Sequence, residues 1–380
     1  MSLRICHIST VHVPSDVRVF HRECRSLALS GYEVHLVIPA AKSEIKDGVH
    51  VHSIRRVRSR SFRILLMPWV AMRAALKTKA AIFHYHDPEL VPVGFVLRWL
   101  LRKRVVYDLH EAVPRQIMGK PWLPKWSRRT VAGAYSIMER LLTPGQVMVL
   151  ANEGWAPRGG SKKYLVRNFP HLSDHSVNHV TPVSSRLRPP LLVYVGGLSE
   201  DRGGDLYVEL ASELRRNGRE FNMKLIGPAM PGYERELRDR ITKLDLMDRV
   251  QLTGRMEHAE AMRLVSDATI GLCLLMPAPN YTTCLATKIL EYMMLGTPVL
   301  ASAFDAWRPY VEGEGSGLMA NPLDLSQVVA MCERMLDDPA QLDVMGRRGA
   351  EAVQSRYNWA SEFKELERCY RELLNPSAAV

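Results

Sequence analysis

Cysteine is scarce and scattered in this sequence. The six residues Cys6, Cys24, Cys273, Cys284, Cys332 and Cys369 form no Cys-x-x-Cys pair, which excludes a disulfide framework and gives no thiolate zinc site. Long apolar runs are also missing. The uncharged stretch Ile270–Thr287 is broken by Pro277, Pro279 and Asn280, short of the roughly 20 apolar residues that cross a bilayer. The N-terminal stretch Met1–Ser9 has one arginine and a short apolar segment, better read as a first buried strand than as a signal peptide. A cytoplasmic protein is expected. No Asp-x-Asp occurs, and no His, Cys, Asp or Glu group has metal-ligand spacing along the chain, so neither a metal nor a cofactor is expected.

What is present is apolar residue in ordinary amount, 47% of 380 positions, with only 7% aromatics and a net charge of +11. That length suits two domains, each able to bury a core without staples. The charge is uneven. Residues 1–175 carry 28 Lys+Arg against 12 Asp+Glu, and the remainder carries 23 against 28. The basic excess concentrates at Arg55, Arg56, Arg58, Arg60, Arg63, Arg73, Lys77 and Lys79. It recurs at Arg98, Arg102, Lys103, Arg104, Lys120, Lys125, Arg128 and Arg129. Phe62, Leu65, Leu66, Trp69, Trp99, Trp122 and Trp126 are interleaved. The mixture suits an amphipathic helix lying on an anionic membrane, or else a solvated face over a packed helix. No nucleic-acid motif accompanies it, so a nucleic-acid partner is not expected.

Periodicity predicts a strand over Arg4–Ser9, a polar loop over Thr10–Asp16, a helix ending near Ser30 and a second strand over Glu33–Pro39. Further strands are expected over Ala81–His84 and Arg104–Leu109, with a helix over Leu90–Leu101. This alternation predicts a parallel, doubly wound α/β domain over residues 1–170. A Pro-, Ser- and His-rich linker is expected over 171–189, and a second such domain over 190–357. The amphipathic segment 358–380 is expected to cross back onto the first domain. Ligands of open α/β sheets bind beyond the carboxyl ends of the strands, so the site is expected in a cleft between the two domains.

Two segments of the second domain suggest an anion site. The loop from Gly196 and Gly197 to Gly203 and Gly204 follows a strand and opens a helix, where backbone N–H groups can approach a phosphate, and Arg202 adds a cation. A tight structural turn would look the same. Lys288 and Glu291, three residues apart, share a helix face. The lysine suits a diphosphate and the carboxylate suits ribose hydroxyls. A plain surface ion pair is the alternative.

Three motifs complete the pattern: His86-Asp87-Pro88-Glu89-Leu90, Tyr107-Asp108-Leu109-His110-Glu111 and Lys288-Ile289-Leu290-Glu291-Tyr292-Met293. With the glycine loop they resemble the retaining glycosyltransferases of family 4, and within them a bacterial cell-surface polysaccharide branch. The resemblance runs over nearly the whole chain and implies the GT-B fold of two facing Rossmann-like domains. It implies that Glu291 binds the ribose and that Arg202 and Lys288 meet the diphosphate. Gly254 and Arg255 fall where relatives receive the base. The first carboxylate of the family's Glu-x7-Glu motif falls on Thr283, so Asn280, Thr282, Thr283 or backbone groups would hold the donor sugar. Gly197 replaces an arginine common in relatives. His110 matches the histidine beside donor and acceptor, though a satisfied core histidine would also fit. His86 and Asp87, at the end of the preceding strand, would meet the acceptor or hold His110, and Glu111 would meet the acceptor. The loop with His12, Asp16 and Arg18 would face the acceptor too, or else serve as helix cap and surface charge.

The implied activity is metal-independent transfer of a hexose, with retention, from a UDP- or GDP-sugar to a glycan or polyprenyl-lipid-linked acceptor. It would take place peripherally on the inner face of the membrane, with closure of the domains excluding water. A non-hydrolysing sugar-nucleotide epimerase and a non-catalytic nucleotide-sugar-binding subunit are the alternatives.

Overall fold

The computed structural model describes residues 2–57, 59–110, 112–119, 123–155, 162–172, 182–186 and 189–375. The chain forms two compact units. One comprises the residues up to Asn168 with the segment from Trp359 onward, the other Phe169–Asn358.

The first unit is built on an eight-stranded sheet. Its strands are β1 (Arg4–Ile8), β2 (Glu33–Pro39), β3 (Glu44–Lys46), β4 (Val49–Ile54), β5 (Ile82–Tyr85), β6 (Arg104–Leu109), β7 (Val147–Leu150) and β8 (Lys163–Leu165). They lie in the order β3-β4-β2-β1-β5-β6-β7-β8. Only β3 runs antiparallel. Helices cover both faces, so the central strands are buried on both sides and read as nearly continuous apolar runs. Histidines interrupt two of them, His7 in β1 and His84 in β5, and the register sets these side by side.

The helix expected to end near Ser30 has an unusual start. Asp16 caps it by accepting from the backbone N–H groups of Arg18 and Val19, and Val17–Cys24 winds as a π-helix before the α-helical turn Arg25–Leu29. The wider winding stacks residue i on i+5, so Arg18 and Glu23 point the same way. The predicted helix from Leu90 is likewise mixed, a 3-10 turn (Pro88–Leu90), an α turn (Val91–Phe95) and a π turn (Val96–Leu100). The C-terminal helix Trp359–Leu374 buries Trp359, Glu362, Leu366, Cys369 and Tyr370, a stripe at helical spacing. It belongs to the first core, beside Val19, Phe20 and Cys24, and the Trp359 indole donates to Ser26 Oγ at 2.8 Å.

The second unit carries a six-stranded parallel sheet of β9 (Leu191–Val195), β10 (Asn222–Ile226), β11 (Val250–Gly254), β12 (Ile270–Cys273), β13 (Val299–Ser302) and β14 (Gly317–Ala320). Their order is β11-β10-β9-β12-β13-β14. Phe169, ahead of the stretch expected as linker, is already part of this core. In each sheet the order reverses beside the first strand, at β1/β5 and at β9/β12, the switch points where α/β sheets open a crevice.

Candidate functional site

In the second unit the loop after β9 brings two cations onto two consecutive glycines. A Cβ on Gly196 would lie 2.7 Å from Lys288 Nζ, and one on Gly197 would lie 3.0 Å from Arg202 Nη1. Gly196 also has φ of +146°, a backbone conformation that side chains disfavour. Gly203 has φ of +77°, and a Cβ there would meet the Leu274 carbonyl at 2.0 Å, so the loop packs against the end of β12 only because that residue is glycine. The glycines make room for basic side chains as well as for a close backbone.

Arg202 is half-buried. Its Nε donates to the Tyr281 hydroxyl at 3.3 Å, which in turn donates to Asp201 at 2.9 Å. Lys288 opens the helix Thr287–Met294, which has no side-chain cap. Its ammonium sits 3.9 Å from the centroid of the Tyr194 ring, a cation–π contact. Lys288 and Glu291 form no ion pair with each other, so the surface-pair alternative is not what the fold builds. Burial pushes the Lys288 ammonium down to about 8, and the Arg202 charge acts in the same direction. An anion between the two cations would raise it again. Binding of a nucleoside diphosphate at pH 8–9 is therefore expected to take up a proton, seen as a buffer-dependent enthalpy in titration calorimetry that vanishes in Lys288→Met.

The other donor-side residues are placed as follows. Gly254 ends β11 with φ of +69°, its carbonyl accepting from Gly227 N–H at 2.9 Å, and Arg255 beside it is exposed. Glu291 is half-buried on the helix that starts with Lys288. The Thr283 hydroxyl donates to the Pro279 carbonyl at 2.8 Å, so it is tied to its own helix. Asn280 lies in that short helix, Pro279–Thr282, and its side chain lies outside the described residues.

In the first unit, residues from the ends of β1, β5 and β6 share one polar network. Asp108, fully buried, accepts a bidentate pair from Arg18, Nε at 2.8 Å and Nη2 at 2.7 Å, and contacts His86 Nδ1 at 2.9 Å. His110, half-buried, brings Nδ1 to 3.3 Å from the same carboxylate. Burial raises the Asp108 pKa, but the Arg18 charge and the hydrogen bonds from Arg18, His110 and His86 together outweigh it and hold the carboxyl well below the usual range. His12 Nδ1 meets Asp16 at 2.8 Å, and its ring lies edge-on to His110 at 5.1 Å. Burial lowers the His12 pKa, but the Asp16 contact and the nearby carboxylates outweigh it and leave it raised.

Three expectations change here. His86 and Asp87 are each only 2% exposed. Asp87 accepts from Ser9 Oγ at 2.8 Å and from the Thr10 N–H at 2.5 Å, so it braces the loop after β1 from beneath, and an acceptor has no surface of it to meet. His86 is likewise internal to the network. Arg18 is buried as the partner of Asp108. His12 and His110 keep accessible surface, and Glu111 lies outside the described residues.

The fold also gathers groups that spacing along the chain does not. His7, Glu23, His84 and His86 converge with ligand atoms within 4.8 Å of one another, and so do His86, Asp108 and His110. The signal was two-residue alternation in strands, His84-x-His86 and Asp108-x-His110, which sets alternate side chains on one face. Glu23 reaches them only through the π winding.

Two family models match the chain, Glycosyltransferase Family 4 over residues 17–149 and Glycosyl transferases group 1 over residues 181–352. The alpha-D-kanosaminyltransferase of Streptomyces kanamyceticus is 29% identical over 186 residues, 48% of this chain and 46% of that protein. The putative colanic acid biosynthesis glycosyltransferase WcaL of Escherichia coli K12 is 25% identical over 194 residues, 49% of this chain and 46% of that one. The chain thus spans about half the length of the curated relatives it matches. Among solved structures, the sucrose-phosphate synthase of Thermosynechococcus elongatus superimposes with a TM-score of 0.78 at 19% identity, covering 99% of this chain and 100% of that one. Anabaena HepE in complex with UDP-glucose superimposes with a TM-score of 0.71 at 14% identity, covering 97% and 100%. The chain belongs to glycosyltransferase family 4 and has the GT-B fold.

Proposed function

We propose that this protein transfers a hexose, with retention, from a UDP- or GDP-sugar to a glycan or lipid-linked acceptor in cell-surface polysaccharide assembly. The observation that carries the reading is the pair of cations, Lys288 and Arg202, set over Gly196 and Gly197 at the end of β9. Departure of a nucleoside diphosphate builds negative charge on its β-phosphate. Two preorganised cations and an uncapped helix N-terminus stabilise that charge without a catalytic metal. Glu291 accepts from ribose hydroxyls, Gly254 and Arg255 receive the base, and the sugar is held by Asn280 and neighbouring backbone groups. Bound donor in HepE and the polysaccharide product in the name of the E. coli relative agree with this assignment.

The test is a thermal-shift series with UDP, GDP and ADP, each with and without EDTA. One nucleotide is expected to stabilise the protein by the same increment in both buffers, since a ligand that binds only the folded state raises its stability. Glu291→Ala is expected to weaken that nucleotide about 10- to 100-fold, the loss of a hydrogen bond to a charged group. Unchanged affinity would remove the ribose assignment. No shift with any nucleotide would move the reading to a non-catalytic subunit.

The acceptor side of the proposal is a membrane surface. Along the helix Arg60–Lys77 the residues Phe62, Leu65, Leu66, Trp69, Val70, Arg73 and Lys77 are all exposed, and their spacing puts them on one face. An apolar groove of about 610 Å³ opens beside it, lined by Leu65, Pro68, Trp69, Val113 and Val131 among others. Arg63 is not part of that basic face, because its Nε pairs with Glu89 at 3.0 Å. Among the described residues no helix is long and apolar enough to cross a bilayer. Arg73→Glu with Lys77→Glu is expected to release the protein from phosphatidylglycerol vesicles in a sedimentation assay, and Trp69→Ala to weaken binding even to neutral ones. Undiminished binding of the charge-reversed variant would refute this surface.

A further inference from the structure

The cluster formed by His7, Glu23, His84 and His86 lies outside the donor site and is too costly to be incidental. All four side chains are fully buried. Neither Glu23 oxygen accepts a hydrogen bond, and His84 Nε2 has no partner. A buried polar group left in that condition carries the desolvation penalty without a compensating hydrogen bond. Oε1 of Glu23 faces Arg18 Nε at 3.2 Å, in an ion contact without hydrogen-bond geometry. Oε2 faces the three histidines, with His7 Nδ1 at 3.7 Å, His84 Nδ1 at 3.8 Å and His86 Nε2 at 4.0 Å.

We propose that His7, Glu23, His84 and His86 form a structural binding site for a divalent transition metal, best suited to Zn2+, in the first unit. Zinc accepts imidazole and carboxylate ligands, and four of them closed off from solvent complete a tetrahedral shell with no open position, as in a structural rather than a catalytic site. Metal–nitrogen bonds of 2.0–2.1 Å set neighbouring ligand atoms about 3.3 Å apart. The observed separations bracket that value, with His7 Nδ1 and His86 Nε2 at 2.9 Å. The outer partners are also in place. His86 holds Asp108 through its other nitrogen, Nδ1, at 2.9 Å, a carboxylate–histidine–metal arrangement that fixes the tautomer. His84 Nδ1 is held by the Tyr370 hydroxyl at 2.6 Å, which leaves its unpartnered Nε2 as the ligand atom, and His7 Nε2 lies 3.3 Å from the same hydroxyl. Through Tyr370 the site ties the C-terminal helix to β1 and β5. Through Asp108 it ties them to His110.

The experiment uses the full chain without a histidine tag, stripped with a chelator and then titrated with Zn2+ alone. One equivalent is expected to bind with submicromolar affinity, and the stripped protein is expected to melt several degrees lower until zinc is restored. Glu23→Gln and His84→Gln are each expected to weaken binding at least tenfold. His52→Gln is the control, because His35, His50 and His52 form a second, partly exposed histidine stack. Co2+ in place of Zn2+ is expected to show the intense visible absorption of a four-coordinate site. Absence of any equivalent in folded wild-type protein would overturn the proposal, and so would zinc binding lost in His52→Gln but kept in the other two. The wild-type chelation and Co2+ readouts decide the matter even if a ligand variant fails to fold. Nucleotide binding in the second unit is scored separately, as the increment above each protein's own baseline, so either proposal can fail alone.

Discussion

Asp108→Ala is expected to destabilise the first unit by about 3–5 kcal/mol, the cost of stranding a buried charge by removing its partner. Arg18 is only 5% exposed and commits Nε and Nη2 to that one carboxylate. Its Nη1 is spent on the Val166 carbonyl at 3.0 Å and on Asn168 Oδ1 at 2.8 Å, so the guanidinium has no route to solvent. Glu23 limits the damage. Burial and the Asp108 charge now hold its pKa well above the usual range. Once Asp108 is gone, Glu23 is the carboxylate in contact with Arg18, with Glu362 farther off, and it is expected to ionise more readily. The pH dependence should change accordingly. In the wild type, Asp108 contributes stability that is complete above the ordinary carboxylate range and is lost as pH falls through its depressed folded value. Glu23 has the opposite sign, because a raised folded pKa costs stability as pH rises from the unfolded toward the folded value. Calorimetric melts of chelator-stripped wild type and Asp108→Ala, from about pH 2 to about pH 8, read both effects. A loss under about 1 kcal/mol would mean that Arg18 repairs itself with Glu23. Arg18→Leu with Asp108→Leu should recover much of the loss, since replacing a buried ion pair by apolar residues is often neutral.

The parts of this architecture that were readable in the sequence depend on local periodicity. Runs such as Leu191–Val195 and Val299–Ser302 announce strands buried on both faces, and the turn glycines mark their ends. The Lys288–Glu291 spacing defines a helix face whatever else the chain does. What stayed hidden depends on winding and register. The separation of Arg18 from Glu23 looks unrelated in an α-helix and becomes a stacked pair only in a π-helix. His7 and His84 are 77 positions apart, and only the β1/β5 pairing sets them side by side. The same limit applies to His86 and Asp87. As polar residues at a strand end they read as ligand contacts, and only side-chain packing shows that the loop after β1 closes over them. Gly196 and Gly197 were legible as small residues but not as the floor beneath two cations, because Lys288 arrives from a helix some 90 positions away.

Arg202→Ala is expected to lower turnover about 10²- to 10³-fold, or about 2.7–4 kcal/mol of barrier, the scale found for removal of one preorganised donor to developing negative charge. The side chain is suited to this because little of it is used for the fold. Of the five donors a guanidinium carries, one is held by Tyr281. Burial pulls its pKa down, but the Tyr281 contact and the neighbouring groups raise it overall, so the charge is permanent over the working range. Tyr281 fixes direction and leaves Nη1 over Gly197. Tyr281→Phe should therefore cost much less than Arg202→Ala, because it removes the tether and keeps the charge. Arg202→Lys should fall between them, since an ammonium keeps the charge and loses the planar fork. The measurement is release of nucleoside diphosphate from whichever sugar donor stabilises the protein, with thermal melts of each variant alongside. A drop in turnover without a drop in melting temperature places Arg202 on the leaving phosphate. Equal losses in both, with normal turnover by the fraction still folded, would make it a brace for the loop after β9, and Lys288 would remain the only cation acting on the phosphate.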